Sequence, residues 1–238
     1  MVIYIVYRAE RKVKNRSIIP KVLRKFGGIQ LHKSLWQVDE KELKNIKNFL
    51  EAHHFIILKR ERELKELVIE ENRLIDLGSL VVLAFDLPKN QQAGRKAIER
   101  LLIQVPHLFL CRSVYAFPQS HGLYGKTITR KISEMVKELG GKVVILPRIT
   151  IMNNSIINDL IQEAILGIKK RLLAITSLLQ QINYNDIKKL KELKVKILKL
   201  KITINLYIKW LTPDLYFIKE IQKMLRSLEE TFKEKLIK

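Results

Sequence analysis

Clusters of arginine and lysine follow two apolar segments of the chain, and their charged side chains suit the binding of phosphate groups. The first cluster comes after Ile3–Tyr7 and the second after Leu80–Phe85. Guanidinium and ammonium groups bind phosphate oxygens, so we predict that these residues contact nucleic acid. The candidate nucleic-acid-binding residues are Arg8, Arg11, Lys12, Lys14 and Arg16 in the first loop, Lys89, Arg95 and Lys96 in the second, and Arg112 in a later turn.

Asp86 ends the second apolar segment, and the enzymatic alternative depends on its carboxylate. A carboxylate there could hold a divalent cation for a nuclease, but such a cation needs several oxygen ligands. The sequence contains no phosphate-binding glycine loop, no dinucleotide motif and no Ser–His–Asp signature. Cys111 is the lone cysteine, which excludes a disulfide framework. We therefore predict no catalytic residue, no metal and no cofactor, with Asp86 as a metal ligand only in the nuclease alternative.

The overall charge points to a polyanionic partner. Of the 238 residues, 45 are Lys or Arg and 24 are Asp or Glu, which gives a formal net charge of +21. A hydrophobic content of 47% is enough for a folded core, so the chain is not a disordered basic tail. The first residues lack the order of a signal peptide, and no apolar stretch reaches membrane-helix length. We expect a cytoplasmic protein without membrane contact.

An internal repeat organises the elements that carry these residues. Each of the two apolar segments reads as a buried strand followed by an amphipathic helix. Pairs at a constant offset of 79 link the two segments, among them Arg16 with Arg95 and Ile19 with Ile98. The offset continues into the next strand, where Lys33–Trp36 matches Arg112–Tyr115. The pattern predicts an α+β fold made of two tandem ferredoxin-like (βαββαβ) units that pack as a pseudo-dimer.

The domain boundaries follow from this repeat and from the charge. Residues 1–62 and 79–151 form the two predicted ferredoxin-like units. The segment 63–78 carries five acidic and two basic residues, and we interpret it as a linker between domains that can include a short strand of its own. Residues 152–238 have a heptad-like apolar pattern, which predicts a helical hairpin and a terminal helix.

The C-terminal helical arm leaves two questions open. Residues 199–208 also alternate with period two, so a strand is an alternative to the favoured helix. Lysines cover the outer face of the same run, which suits either solvent or an acidic partner. The arm is therefore also a candidate for docking a protein.

The second segment resembles three known families. Its strand Leu80–Asp86, Arg95 and the strand Val114–Pro118 are similar to the ferredoxin-fold, non-integrase subunit of CRISPR adaptation. With Pro88 and Gly140–Gly141, they also resemble the N-terminal domain of chromate-resistance protein B and the C-terminal part of phenylacetate-pathway repressors. The similarity covers about residues 80–232. These resemblances imply a ferredoxin-like fold and favour double-stranded DNA as the ligand.

One departure from the CRISPR family bears on catalysis. That family is proposed to hold a divalent metal between two symmetry-related aspartates. In this chain Asp86 has Arg8 as its counterpart, and we expect the two residues to face each other as an ion pair. The predicted function is a non-catalytic, DNA-binding protein with a regulatory or architectural role. The alternatives are a metal-dependent nuclease using Asp86, and an RNA-binding, ribosome-binding or scaffold subunit of a nucleoprotein complex.

Overall fold

The computed structural model describes residues 2–8, 18–50, 54–71, 73–119, 124–182, 186–211 and 215–237. Within these ranges the protein is a mixed α+β fold with a large antiparallel sheet and a C-terminal helical region. The strands are β1 (Val2–Tyr7), β2 (Ile29–His32), β3 (Leu35–Asp39), β4 (Phe55–Arg60), β5 (Val68–Glu70), β6 (Arg73–Asp76), β7 (Leu80–Asp86), β8 (Leu108–Cys111), β9 (Val114–Pro118) and β10 (Lys142–Ile151). The α-helices are α1 (Ile18–Lys25), α2 (Leu43–Leu50), α3 (Gln92–Leu102), α4 (Tyr124–Glu138), α5 (Asn154–Gln181), α6 (Ile187–Leu211) and α7 (Tyr216–Ile237).

Eight strands form one sheet in the order β2-β3-β1-β4-β10-β7-β9-β8. We call β1–β4 the first half-sheet and β7–β10 the second half-sheet. β10 joins them, because it pairs with β7 from Lys142 to Ile149 and with β4 from Ile149 to Ile151. A register shift between Leu146 and Ile149 lets this one strand serve both partners.

The two half-sheets have the same strand connections and corresponding registers. In each, the first strand lies between the third and the fourth. Val6 of β1 lies opposite Leu35, and Ala84 of β7 lies opposite Val114. Each half-sheet is covered on one face by two helices, because the apolar residues of these helices recur at helical spacing. α1 buries Ile19 against the first half-sheet, and α3 buries Ile98, at the corresponding position, against the second.

The opposite faces of the half-sheets share the largest core. Tyr4 and Val6 of β1 lie in one cluster with Val82 and Ala84 of β7 and with the apolar faces of α5, α6 and α7. Burying a large aliphatic side chain contributes about 1.5–3 kcal/mol. This cluster therefore holds the helical region and both half-sheets together.

The C-terminal segments are helical, including residues 199–208. Leu200 and Ile204 are buried on one side of α6, whereas Ile202 is 51% exposed. That pattern follows the heptad-like seam rather than the competing period of two. The prediction of a helix over residues 199–208 is therefore confirmed, and the strand alternative is wrong. Thr212, Pro213 and Asp214, a sequence typical of the start of a helix, lie outside the described residues.

The acidic segment 63–78 contains more structure than a short strand. β5 and β6 form a separate two-stranded hairpin there. Leu74 and Leu77 of this segment are buried in the shared core, with 4% and 1% of their surfaces exposed. The segment that connects the two half-sheets therefore packs into the core as well as joining them. No helix in the described ranges has the length and apolarity to cross a membrane.

Candidate nucleic-acid interface

The ends of the two leading strands meet at one end of the molecule. We define the hairpin-turn end as the last residues of β1 and β7 together with the turns Lys33–Ser34 and Arg112–Ser113. Each half-sheet reaches across to the other here. Lys33 Nζ donates to Asp86 Oδ1 over 3.0 Å, and Arg8 Nε donates to the Leu110 carbonyl over 2.7 Å. The fold therefore brings the last residues of both leading strands, Arg8 and both turns into one region.

Arg8 is committed to internal contacts at this end. Its guanidinium donates to the carbonyls of Leu110 and Phe109 and forms two bonds to Glu163 of α5, at 2.6 and 3.0 Å. It also lies 5.9 Å from the centre of the Phe109 ring. The expected Arg8–Asp86 pair does not form, because Glu163 supplies the carboxylate for Arg8. Arg8 is 23% exposed and has few donors left for a phosphate.

Asp86 is surrounded by cationic and potentially cationic side chains. Besides Lys33, His32 Nε2 lies 3.5 Å from Asp86 Oδ2. Burial lowers the pKa of His32, and the charge of Asp86 opposes that shift. In the register of β10 and β7, Lys142 lies directly opposite Asp86. No group of three or more His, Cys, Asp or Glu suited to a metal occurs in the described part of the chain.

The thiol and hydroxyl groups near this end take part in packing. Burial raises the pKa of Cys111 to about 12, so its thiol stays protonated at neutral pH. The Tyr7 hydroxyl donates to the Lys33 carbonyl over 2.7 Å and fixes the first turn. Neither group has the lowered pKa that an activated nucleophile requires.

The remaining predicted binding residues differ in accessibility. Lys89, Lys96 and Arg112 have exposed side chains. Arg95 is half-buried and donates to the Leu87 carbonyl over 2.9 Å, so it stabilises the loop after β7. The first-loop residues Arg11, Lys12, Lys14 and Arg16 lie outside the described residues.

Two exposed lysines at the same end were missed by the sequence reasoning. Lys33 occupies the turn that corresponds to the turn of Arg112, and the offset of 79 could have revealed it. Lys142 begins β10 beside the end of β7. No short sequence pattern marks Lys142, because its neighbour in the sheet lies 56 positions earlier in the chain.

The aromatic residues divide into core and surface. Trp36 and Phe117 are fully buried, so they are not available to stack on bases. Phe109 is 43% exposed on the edge strand β8, and its ring lies 5.7 Å from that of Tyr115. An exposed ring beside cationic side chains can stack on an unpaired base.

Lysines cover the outer face of α6. Lys201 pairs with Glu229 of α7 over 2.7 Å, and Lys189 pairs with Asp186 over 2.8 Å. The other lysines of this face are exposed and are not paired with a carboxylate of a described residue: Lys188, Lys191, Lys194, Lys196 and Lys199. This face is a second basic surface, on the helical region.

No family model, curated protein or solved structure matches this chain.

Proposed function

We propose that this protein binds nucleic acid, preferentially double-stranded DNA, in a regulatory or architectural role and without catalysing a reaction. The observation that carries the proposal is the cluster of exposed cations at the hairpin-turn end. Arg112 lies in one of its turns, Lys142 begins β10 opposite the last residue of β7, and Lys89 follows β7 by three residues. All three are exposed, and none is paired with a carboxylate of a described residue. Unpaired cations grouped on one surface attract phosphates and release counterions on binding.

We also infer that the half-sheets are two ferredoxin-like units that arose by duplication. The common strand order and the corresponding registers support this inference. The exchange of contacts across the hairpin-turn end supports it as well, since Arg8 reaches β8 and Asp86 reaches the turn after β2. Such an arrangement agrees with the resemblance to the ferredoxin-fold subunit of CRISPR adaptation. That resemblance is one reason for proposing duplex DNA as the preferred ligand.

The nuclease alternative has less support from the surroundings of Asp86. A divalent cation would need further oxygen ligands beside this carboxylate. Lys33 and His32 lie against its two oxygens instead, at 3.0 and 3.5 Å. These neighbours favour an ion-paired role for Asp86 in joining the half-sheets.

The proposal is tested by the salt dependence of binding to a fluorescent DNA duplex, with a matched RNA duplex in parallel. Affinity should fall by orders of magnitude between about 50 and 200 mM salt. Replacing Lys89, Arg112 and Lys142 together by Gln should lower the slope of log affinity against log salt by about 2.7, since each phosphate contact contributes about 0.9.

A triple variant with the same loss of charge is the control. Arg100, Lys131 and Lys137 are exposed on α3 and α4, and replacing all three by Gln should leave the slope nearly unchanged. A flat salt dependence would contradict the proposal, as would equal losses in both triple variants. Stronger binding to the RNA duplex would move the preference to RNA. Mg²⁺-dependent cleavage that disappears in Asp86→Ala would establish the nuclease instead.

A scaffold role is the second candidate, because α6 carries an exposed apolar stripe. Val195, Leu198 and Ile202 are 50%, 57% and 51% exposed, at spacings of three and four residues. They share the outer surface of the helix with its unpaired lysines. An apolar stripe flanked by positive charge fits an amphipathic helix with acidic flanks from a partner protein.

A synthetic peptide with one leucine face and glutamate on the others is the probe for this surface. It should bind the wild type, and replacing the three stripe residues by Gln should weaken binding at least tenfold. Leu166 and Leu173 are exposed on α5 to the same degree, so their replacement by Gln is the control. Binding that survives the α6 changes, or no binding at all, would exclude this candidate.

A further inference from the structure

A charged groove lies at the end of the sheet opposite the hairpin-turn end. Its volume is about 920 Å³, and it lies where β1 begins, β4 ends and β10 crosses between the half-sheets. Apart from Val2 and Leu64, its lining is charged: Lys59, Arg60, Glu61, Arg62, Glu63, Lys65 and Arg148. A groove of this size can hold a ligand as large as a nucleotide.

The negative charge of Glu61 is already balanced by two lysines inside the groove. Its carboxylate lies 3.3 Å from Lys59 Nζ and 3.1 Å from Lys65 Nζ, and it accepts a hydrogen bond from Thr150. Burial alone would raise the pKa of Glu61, but the bonds from Lys65, Thr150 and Lys59 together lower it. Glu61 therefore stays ionised and holds the two lysines.

Three arginines remain along the groove without a carboxylate partner among the described residues. Arg60 and Arg62 are exposed at the end of β4. Arg148 donates from Nη1 to the Arg62 carbonyl over 2.6 Å, which anchors one side of its guanidinium. Glu63 is the one acidic lining residue left to balance them, so the groove is positively charged.

The backbone at Arg148 is in a conformation that arginine rarely adopts. Its φ is +56°, a left-handed value that suits Gly or Asn better. Two hydrogen bonds fix it: its N–H donates to Gln119 Oε1 over 2.6 Å, and its carbonyl accepts from Glu61 N over 2.8 Å. Strained residues of this kind concentrate at binding sites, where the surrounding structure holds them in place.

From these observations we propose that the groove binds a terminal phosphate or polyphosphate group. Guanidinium groups suit this ligand, because their fork of donors matches two phosphate oxygens at once. Leu64 is 60% exposed and, with Val2, offers an apolar surface to a base or a sugar. The same chemistry belongs to a free nucleotide and to the 5′-phosphorylated end of a nucleic acid. The site is separate from the duplex-binding surface at the hairpin-turn end.

The test measures binding of pyrophosphate and ATP, and of short DNA duplexes with a 5′-phosphate or a 5′-hydroxyl. Arg148→Asn and the double variant Arg60→Gln with Arg62→Gln should each weaken phosphate binding about tenfold or more. Arg148→Asn should keep a melting temperature close to that of the wild type, because relief of the left-handed backbone offsets the lost bond to the Arg62 carbonyl, and thermal unfolding of the variant measures this. A loss of binding in this variant would therefore not result from unfolding. Arg100→Gln, on the exposed face of α3, is the control.

The arms of this experiment separate the two sources of phosphate. Preference for the 5′-phosphorylated duplex that disappears in Arg148→Asn indicates the end of a nucleic acid. Binding of ATP without that preference indicates a nucleotide. No binding of any phosphate probe, or binding unaffected by the arginine variants, would overturn the proposal. The triple variant at the hairpin-turn end should keep its binding of ATP, so this site and the duplex site can fail independently.

Discussion

Arg8 shows how residue type and residue role can diverge. A basic residue after a strand suggests a phosphate contact, yet its guanidinium is bonded to two main-chain carbonyls and to Glu163. These partners lie 101 to 155 positions away in the chain. Local sequence carries no sign of contacts at that separation. That the Arg8 guanidinium donates hydrogen bonds to oxygen atoms could be predicted from its residue type. Which oxygen atoms it binds could not.

The expected effect of Arg8→Ala is lower stability, with duplex affinity little changed. The change leaves the partly buried carbonyl of Leu110 without its donor and Glu163 without its cation. Hydrogen bonds to charged groups contribute about 1.5–3 kcal/mol, and partial exposure favours the lower end. Urea denaturation measures the loss, and Arg8→Lys should restore only part of it because lysine lacks the planar fork.

Lys89→Ala is the comparison at this scale, since Lys89 is exposed and makes no contact with a carboxylate of a described residue. Its stability should stay within about 0.5 kcal/mol of the wild type, with weaker duplex binding. If Arg8→Ala instead keeps full stability and loses affinity, Arg8 contacts phosphate after all.

At the scale of elements, hydroxyl groups of α6 bond to the main chain of the loop between α3 and β8, and the hydroxyl of Tyr207 makes two of these bonds. Tyr207 is buried, and its hydroxyl donates to the His107 carbonyl over 2.9 Å and accepts from the His107 N–H over 3.1 Å. Burial raises the pKa of Tyr207 to about 12, so the hydroxyl stays protonated and can make both bonds. Thr203 and Arg171 add bonds to the nearby Ile103 carbonyl.

Tyr207→Phe should therefore destabilise the protein by about 1–3 kcal/mol, because it leaves the main-chain groups of His107 without partners. Thermal or urea unfolding measures the change. Tyr216 is 81% exposed on α7, and Tyr216→Phe should have almost no effect. Equal stabilities of the two variants would show that packing alone holds α6 in place.

The helices and most strands could be predicted because their apolar residues recur at regular periods. In α6 the longer heptad-like seam gave the right answer over a competing alternation. The segment 63–78 was expected to hold a short strand, but the pairing of β5 with β6 was not predicted, because the acidic composition resembles that of a linker. The place of this segment depends on Leu74 and Leu77 finding the shared core. Whether such a segment packs on the core depends on its contacts with distant elements, and no local sequence pattern reveals those contacts.

For the whole molecule, the offset of 79 predicted which loops and turns occupy equivalent ends of the two half-sheets. In the structure, the loop after β7 and the turns of Lys33 and Arg112 lie at one end of the molecule. The offset could not reveal the groove at the opposite end, which depends on the crossing of β10 at Arg148. Positive charge thus occupies three separate surfaces: the hairpin-turn end, the groove and the outer face of α6. Composition predicted the amount of charge, and only the fold shows that separation.

The shared strand β10 also sets the order in which the protein can be completed during synthesis. Leu58–Arg60 of β4 pair with Ile149–Ile151, about 90 positions later in the chain. At about 5–20 residues per second, a ribosome needs roughly 5–20 seconds to reach that partner. Until then β4 is an open strand edge, which can pair with a neighbouring nascent chain. Two chains growing on one messenger would expose this edge for overlapping intervals, so we expect misassembly between nascent chains to be favoured most in this interval.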